Sequence, residues 1–250
     1  MAKIVGPVQY SGKIGDYSAY IDKNGENIVR GRGGPSGKRV KKEDRFRRFM
    51  NQSSVNGAGS SNGKIIRDGF AFITRDCKDG SLTERLKKAL KKAFFQLHPQ
   101  EVMPDIFYEA DLRPLQGFQW NNRSHLDAVF HADHTTMVNP ETGDTDFIIA
   151  SFCPAEELTP PPDATHFTVV VATLFFRQGS KYPATQLRRL DKLPCDAPNV
   201  QSSNVRFSAG ADKPSLVISG VGVIFFGKVR TKVKVLPESA FAITNVCRLP

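Results

Sequence analysis

The sequence predicts an α+β fold in which a basic N-terminal β-ribbon and short helices precede an antiparallel, immunoglobulin-like β-sandwich. Three observations lead to this prediction. Glycine and positive charge are concentrated near the start of the chain, a strongly amphipathic helical pattern follows, and beyond residue 112 strand-like segments alternate with turn residues. We therefore predict two regions, the ribbon and helices over residues 1–112 and the sandwich over residues 113–250.

The charge of the chain is uneven. The 250 residues are 40% hydrophobic and 24% charged, which is typical of a globular protein rather than a disordered one. The formal net charge is +10; residues 1–98 hold 21 Lys and Arg against 9 Asp and Glu, whereas residues 99–250 hold 14 against 16. All the excess positive charge belongs to the first part, which favours a polyanion-facing region joined to a near-neutral one.

Residues 1–32 are predicted to form the β-ribbon. Segments 17–22 and 27–32 flank a turn that contains Asn24-Gly25, the strongest short hairpin signal because both residues tolerate positive φ. The sequence Gly33-Gly34-Pro35 then ends the ribbon, because glycine and proline are poor continuations of a strand.

The most basic stretch of the chain, residues 30–48, begins at the end of the ribbon. Only Glu43 and Asp44 offset its cations. Such a stretch does not form a core, so it either contacts a polyanion or lies in solvent, and an acidic protein partner is a further alternative. The predicted polyanion-binding residues of this stretch are Arg30, Arg32, Lys38, Arg39, Lys41, Lys42, Arg45, Arg47 and Arg48.

A helical pattern begins inside the basic stretch. Phe46, Phe49 and Met50 have the spacing i, i+3, i+4 that places them on one face of a helix. Small residues from 56 to 63 interrupt the pattern, and they fit either a loop or a closely packed helix.

The clearest helix covers residues 82–97. Ser81 and Glu84 predict a capping box, in which each side chain satisfies the other residue's backbone N–H. Apolar residues with helical spacing predict a buried stripe that consists of Leu82, Leu86, Ala89, Leu90, Ala93, Phe94 and Leu97. The other face fits either a solvated surface or an extension of the polyanion contact. The candidate residues of this face are Lys87, Lys88, Lys91 and Lys92.

The rest of the chain is rich in strand signals. Near-continuous apolar runs at 169–176 and 221–226 predict strands at the centre of the core, and the prolines of 159–163 predict a rigid crossing between sheets. Alternation over residues 228–235 predicts one face with four cations, Lys228, Arg230, Lys232 and Lys234, which would guard an exposed edge against pairing. The predicted strands are residues 115–121, 126–131, 135–139, 144–152, 165–176, 203–209, 215–235 and 241–248.

No motif predicts catalysis. Residues 33–39 resemble a phosphate-binding loop, but Arg32 and Arg39 stand where that motif requires Gly and Ser or Thr. One cluster has metal-ligand residue types, and we interpret it as polar side chains on an exposed strand and turn; it consists of His125, Asp127, His131, Asp133 and His134. We therefore predict a non-enzyme without cofactor or metal, and keep a metal enzyme built on these histidines as a third hypothesis.

Cysteine spacing and hydropathy favour a cytoplasmic location. The four cysteines, Cys77, Cys153, Cys195 and Cys247, form no CxxC pair, which is typical of reduced thiols rather than a disulfide framework or zinc site. The N-terminal residues lack the apolar segment of a signal peptide, and no apolar run approaches the roughly 20 residues that a membrane span requires. We expect no membrane association.

Short motifs along most of the chain occur in a recognisable order. They lie at residues 12–20, 28–30, 34–36 and 46–49 in the first part, and at 149–155, 162–167, 222–226 and 240–243 in the second. In these motifs the chain resembles a family of uncharacterised Bacteroidota proteins. The resemblance implies a glycine-rich basic head, small helices and a β-sandwich, and it implies no activity. The chain departs from the family between Gln96 and Arg113.

Two functional hypotheses follow from these patterns. The first is a non-catalytic protein that binds a polyanion, in particular nucleic acid, through its basic N-terminal segment. A single Arg-Gly-Gly unit at residues 31–34 supports it, because repeats of such units bind single-stranded nucleic acid. The second is a structural component of a virion or multi-subunit machine, whose N-terminal arm docks on a neighbouring subunit or a copy of itself. Val40, Phe46 and Phe49 are the apolar anchors that favour this alternative.

Overall fold

The computed structural model describes residues 2–3, 11–31, 34–77, 79–97, 112–229 and 232–250. Helices and antiparallel sheets are both present, so the predicted α+β class is confirmed. The chain divides into two compact units, Met1–Gln52 and Ser53–Pro250. This division does not coincide with the one predicted at residue 112, because the helices that follow Ser53 share a core with the strands beyond residue 112.

The first unit contains a small antiparallel sheet. Its strands are β1 (Ala2–Lys3), β2 (Gly12–Ile14), β3 (Tyr17–Ile21) and β4 (Asn27–Gly31), in the order β1–β4–β3–β2. The predicted hairpin is confirmed, with Gly25 at φ +79° in its turn. Asp22 stabilises that turn, because its Oδ1 accepts hydrogen bonds from the backbone N–H groups of Asn24 (2.8 Å) and Glu26 (2.9 Å).

Two helices follow the sheet. Helix α1 (Gly37–Lys42) begins at Ser36, whose hydroxyl accepts a weak hydrogen bond from the Arg39 backbone N–H at 3.4 Å. Helix α2 (Arg47–Gly69) runs through the small residues at 56–63, so the closely packed helix, and not the loop, is the correct alternative. Within the second unit, the close contact of α2 with the next long helix is at Gly59, where a Cβ would lie 3.3 Å from Lys91 Cγ.

Helices α3 (Ala71–Asp76) and α4 (Leu82–Leu97) complete the helical layer of the second unit. Four residues of the predicted α4 stripe are fully buried, namely Leu82, Leu86, Leu90 and Ala93. The side chains of Phe94 and Leu97 lie outside the described residues.

The predicted capping box of α4 is wrong. The Ser81 hydroxyl donates to Asp79 Oδ1 (2.8 Å), and the Glu84 carboxylate pairs with Lys87 (2.5 Å). Asp79 also accepts from the Ser81 backbone N–H (2.7 Å) and from Arg85 Nη2 (2.5 Å). The Asp79 carboxylate thus accepts the Ser81 backbone N–H that Glu84 would accept in a capping box, and also the Ser81 hydroxyl, so the start of the helix is organised around Asp79.

Two antiparallel sheets make up the rest of the second unit. The strands are β5 (His134–Val138), β6 (Thr145–Ile149), β7 (Ala164–Phe176), β8 (Ala184–Arg189), β9 (Leu193–Pro194), β10 (Ser203–Phe207), β11 (Leu216–Val229), β12 (Lys232–Val235) and β13 (Ala240–Arg248). Two short helices, α5 (Leu126–Val129) and α6 (Pro154–Glu157), lie between strands. The larger sheet has the order β12–β11–β7–β8, with β13 also paired to β11 and β9 to β7, and the smaller has the order β10–β6–β5.

The central strands β7 and β11 of the larger sheet are buried on both faces, which explains their near-continuous apolar runs. One face of β7 joins the helices through Val170, Ala172, Leu174 and Phe176, and the other faces the smaller sheet through Phe167, Val169, Val171 and Phe175. Aromatic contacts fix the helical side, because the Phe70 ring lies 5.3 Å from the ring centres of both Trp120 and Phe241.

Three details differ from the predicted strands. Residues 126–131 were expected to be a strand but contain α5, because Leu126, Val129 and Phe130 have the helical spacing i, i+3, i+4. Residues 115–121 follow a 3₁₀ turn and contribute only an isolated bridge at Gln119. The edge strand β8 was missed, because its polar sequence carries little apolar alternation.

The predicted row of cations on one face of residues 228–235 is also wrong. β11 and β12 form a hairpin in which Lys228 pairs with Val233 and Lys234 with Gly227. Paired residues share a face, so Lys228 lies on the opposite face from Lys232 and Lys234. Arg230 lies outside the described residues.

Hydropathy gives no sign of a membrane span. Among the helices of the described residues, none combines the length and the apolar character needed to cross a bilayer.

Candidate polyanion-binding surface

The first unit presents a group of cations that have no acidic partner among its described residues. Helix α1 has no buried residue, so its lysines Lys38, Lys41 and Lys42 extend into solvent. Arg47 and Arg48, at the start of α2, are also exposed. Within the described part of the chain, none of these five side chains forms an ion pair or hydrogen bond. Their charge is therefore available to an external anion.

Two other predicted arginines are partly neutralised. Arg39 Nε lies 2.7 Å from Glu43 Oε1, and Arg45 Nε lies 2.6 Å from Glu43 Oε2. Both arginines remain more than half exposed, and ion pairs at such positions contribute little to stability. Glu43 therefore lowers the net charge of this part of the surface without fixing the two guanidinium groups. Arg32, the remaining predicted residue of the segment apart from Arg30, lies outside the described residues.

Arg30 belongs to a mixed cationic and aromatic face of the small sheet. The register places Lys13, Ser18 and Arg30 in one row across β2, β3 and β4. The Arg30 guanidinium lies 5.6 Å from the centre of the Tyr20 ring, which is 37% exposed. A half-exposed ring beside cations is the arrangement on which nucleic-acid bases stack. Sequence reasoning missed Lys13, because its place beside Arg30 depends on the pairing of three strands.

Large apolar side chains are exposed on the same unit. Tyr17 is 58% exposed, Ile21 47%, Phe49 62% and Met50 36%. Phe46 differs, because the Arg45 guanidinium covers its ring at 4.8 Å. These side chains can stack on bases or pack against a protein, so they do not by themselves select between the two hypotheses.

The lysines of α4 belong to the second unit and have two different environments. The stems of Lys87 and Lys91 pack against α2, where a Cβ at Gly59 would lie 3.3 Å from the Cγ of either lysine. Lys91 Nζ also donates to Asn56 Oδ1 at 2.8 Å. Lys88 and Lys92 are exposed and, among the described residues, have no partner. Two of the four predicted residues are thus engaged in helix packing, and two are free for a ligand.

The histidine cluster does not converge. His131 Nε2 lies 3.1 Å from Thr159 Oγ1, whereas His134 Nδ1 lies 2.9 Å from the Ala132 carbonyl oxygen and its ring stacks on Phe130. Within the described ranges, no three His, Cys, Asp or Glu side chains are arranged to hold a metal ion. Asp127 and His134 line a cavity of about 320 Å³. Among the described residues, no third member of the histidine cluster lines this cavity.

The cysteines are all free thiols. Burial raises the pKa of Cys77 far above its ordinary value, with a further contribution from Asp76. Burial also raises the pKa of Cys195 and Cys247. Raised pKa values disfavour the thiolate, so these three thiols lack the property that makes a cysteine nucleophilic.

Neither of two comparisons with known proteins points to a function. No protein-family model matches the chain, and a search of curated proteins found no significant relative.

Proposed function

We propose that this is a non-catalytic polyanion-binding protein and that the polyanion is nucleic acid. The observation that carries the proposal is the group of five exposed cations without an acidic partner in the described part of the first unit: Lys38, Lys41, Lys42, Arg47 and Arg48. Each can neutralise one phosphate and release its counterion, which is the main source of affinity in sequence-independent binding.

The aromatic and cationic face of the small sheet supports a single strand over a duplex. Tyr20 with Arg30, together with Lys13 in the same row of the sheet, combines a stacking ring with phosphate partners. Unpaired bases expose the faces that stack on such rings, whereas the bases of a duplex do not. We therefore expect single-stranded DNA or RNA to bind more tightly than a duplex of the same length.

The test compares two variants of the full chain with the same loss of charge. In the first, Lys38, Lys41 and Lys42 become Gln; in the control, the exposed Lys181, Lys192 and Lys213 of the second unit become Gln. Fluorescence anisotropy with a labelled single-stranded oligonucleotide measures affinity. We expect the first variant to bind at least about tenfold more weakly and the control to change little, because phosphate contacts are local. Equal losses in both variants, or no binding by the wild type at low salt, would refute the proposal.

An assembly role is the second candidate, and the exposed apolar side chains favour it. Tyr17, Ile21 and Phe49 are exposed in the unit that also carries the cations, as expected of an arm that docks on a neighbouring subunit of a virion or multi-subunit machine. Sedimentation of the pure protein distinguishes this role. Association that persists at high salt and is lost in a Phe49→Ser variant supports assembly, whereas a monomer at all salt concentrations opposes self-assembly.

The proposal also covers the type of fold, the cellular location and the family resemblance. Two antiparallel sheets enclose an apolar cluster, which supports an immunoglobulin-like sandwich with an added helical layer. Four free cysteines support a reducing, cytoplasmic location. The basic head, small helices and antiparallel sheets agree with the composition of the Bacteroidota family that the sequence resembles.

A further inference from the structure

A cleft of about 540 Å³ lies in the second unit, between the edges of its two sheets. Its walls come from β8 and β9, at one edge of the larger sheet, and from the segment that enters β10, at one edge of the smaller sheet. At the opposite side the sheets are bridged, because the Thr136 and Thr244 hydroxyls lie 2.8 Å apart and Asn245 Nδ2 donates to the Thr136 carbonyl oxygen at 3.2 Å. The cleft is therefore the open side of the sandwich.

The floor of the cleft is apolar and its rim is polar. Phe167 and Val169, both buried, form part of the floor together with Leu190, Leu193, Val200 and Val205. Seven polar residues also line the cleft. Arg189 is paired with Asp76, and within the residues that the structure describes the side chains of the other six form no hydrogen bond or ion pair. These residues are Arg188, Asp191, Asn199, Gln201, Ser203 and Asn204.

Two neighbouring arginines of β8 differ in their environments. Arg188 pairs with Val171, which faces the smaller sheet, whereas Arg189 pairs with Val170, which faces the helices. Arg189 forms an ion pair with Asp76 and lies 5.1 Å from the Phe72 ring centre. Both arginines line the cleft, but Arg189 is engaged in the fold, whereas Arg188 has no partner among the described residues.

The chemistry of the lining selects the class of ligand. Arg188 and Asp191 carry opposite charges and do not pair with each other, so a ligand with a net charge of either sign would meet one group of like charge. The amides of Asn199 and Gln201 both donate and accept hydrogen bonds, as the hydroxyl groups of a neutral ligand also do. The apolar floor suits the C–H faces of a sugar ring.

We propose that this cleft binds a neutral oligosaccharide of two or three rings. The cleft volume lies within the range of roughly 300–1,000 Å³ that is usual for ligand sites and exceeds what a single sugar requires. The rim is hydrated when the cleft is empty, so binding exchanges one set of hydrogen bonds for another, and affinity is expected on the order of 0.1–1 mM. This site is separate from the basic surface and does not depend on the proposed function.

The test uses the full chain and isothermal titration with maltotriose, cellotriose and triacetylchitotriose. The binding variant carries Asn199→Ala and Gln201→Ala, and the control carries Gln178→Ala, an exposed amide outside the cleft. Circular dichroism verifies that each variant is folded. We expect at least one trisaccharide to bind, with roughly tenfold weaker affinity for the double variant and unchanged affinity for the control.

Three outcomes would overturn the proposal. The first is the absence of saturable binding for all three trisaccharides. The second is equal binding by the wild type and the double variant, which would place the sugar elsewhere. The third is binding of the zwitterionic dipeptide Ala-Ala without any trisaccharide, because Arg188 and Asp191 would then serve a carboxylate and an ammonium group.

Discussion

A lysine-rich helix face can have two roles that the sequence does not separate. Lys87, Lys88, Lys91 and Lys92 are alike in composition and spacing, yet two pack against Gly59 and two are exposed. Which lysines are packed depends on where α2 contacts α4. That contact is at Gly59, and a hydropathy pattern does not show that a glycine has this role. The amphipathic stripe of α4 was predictable because it follows from the helical period alone.

Asp79 supplies a pH-dependent contribution to stability. Burial would raise its pKa, but hydrogen bonds from Ser81, Arg85 and Asn122 outweigh burial and lower the pKa from 3.8 to about 2. A lowered carboxyl pKa stabilises the folded state above the ordinary value, and this contribution is lost as the pH falls through about 2. We expect Asp79→Asn to lower the free energy of unfolding by about 1–2 kcal/mol at neutral pH.

Urea denaturation at a series of pH values checks this prediction. The difference between wild type and Asp79→Asn should be constant above about pH 5 and shrink towards pH 2, following the pKa values of 3.8 and about 2. A difference that does not vary with pH in this window would show that the ionised carboxylate is not the stabilising group.

Two Gly→Ala substitutions should have opposite effects. A Cβ at Gly222 would lie 2.5 Å from the Ala240 carbonyl oxygen, and no side-chain rotation relieves a clash with backbone. At Gly57, on the exposed face of α2, a Cβ meets no atom within 4 Å. We expect Gly222→Ala to destabilise the protein by more than about 2 kcal/mol and Gly57→Ala to stabilise it by roughly 0.5–1 kcal/mol. Thermal unfolding measures both, and a stable Gly222→Ala variant would contradict the observed pairing of β11 with β13.

At the scale of elements, Lys91 contributes more than Lys92 to the packing of α2 against α4. Lys91 packs its stem on Gly59 and donates to Asn56, whereas Lys92 is exposed. We expect Lys91→Ala to lower the free energy of unfolding by about 1 kcal/mol and Lys92→Ala to change it by less than about 0.5 kcal/mol. Chemical denaturation of the two variants is the measurement. Equal stabilities would mean that the Lys91 contacts contribute nothing to the folded state.

A strand could be predicted where the local apolar pattern determines it, and could not be predicted where its place depends on pairing with another strand. The apolar runs of β7 and β11 were recognised because strands buried on both faces need them. The prediction that the cations of residues 228–235 share one face was wrong, because a hairpin turn changes which residues share a face. The edge strand β8 was missed because its backbone, and not its side-chain pattern, ties it to β7.

At the scale of the molecule, the division into two units could not be predicted. Val55, Ala58 and Ile66 of α2 join a core that includes residues of β7 and β13, more than a hundred positions away. Small residues make the apolar face of α2 weak, so the sequence does not show that this helix belongs with the sheets. The concentration of charge in the first part was visible from composition, and it remains the strongest functional signal.

The most direct test of the central claim is the salt dependence of oligonucleotide binding. Log K falls linearly with log[salt], with a slope of about −0.7 for each phosphate contact on a single strand. If Lys38, Lys41 and Lys42 each contact a phosphate, the triple Gln variant should have a slope that is shallower by about 2 than that of the wild type. The control at Lys181, Lys192 and Lys213 should retain the wild-type slope. Identical slopes for all three proteins would contradict the assignment of this surface to polyanion binding.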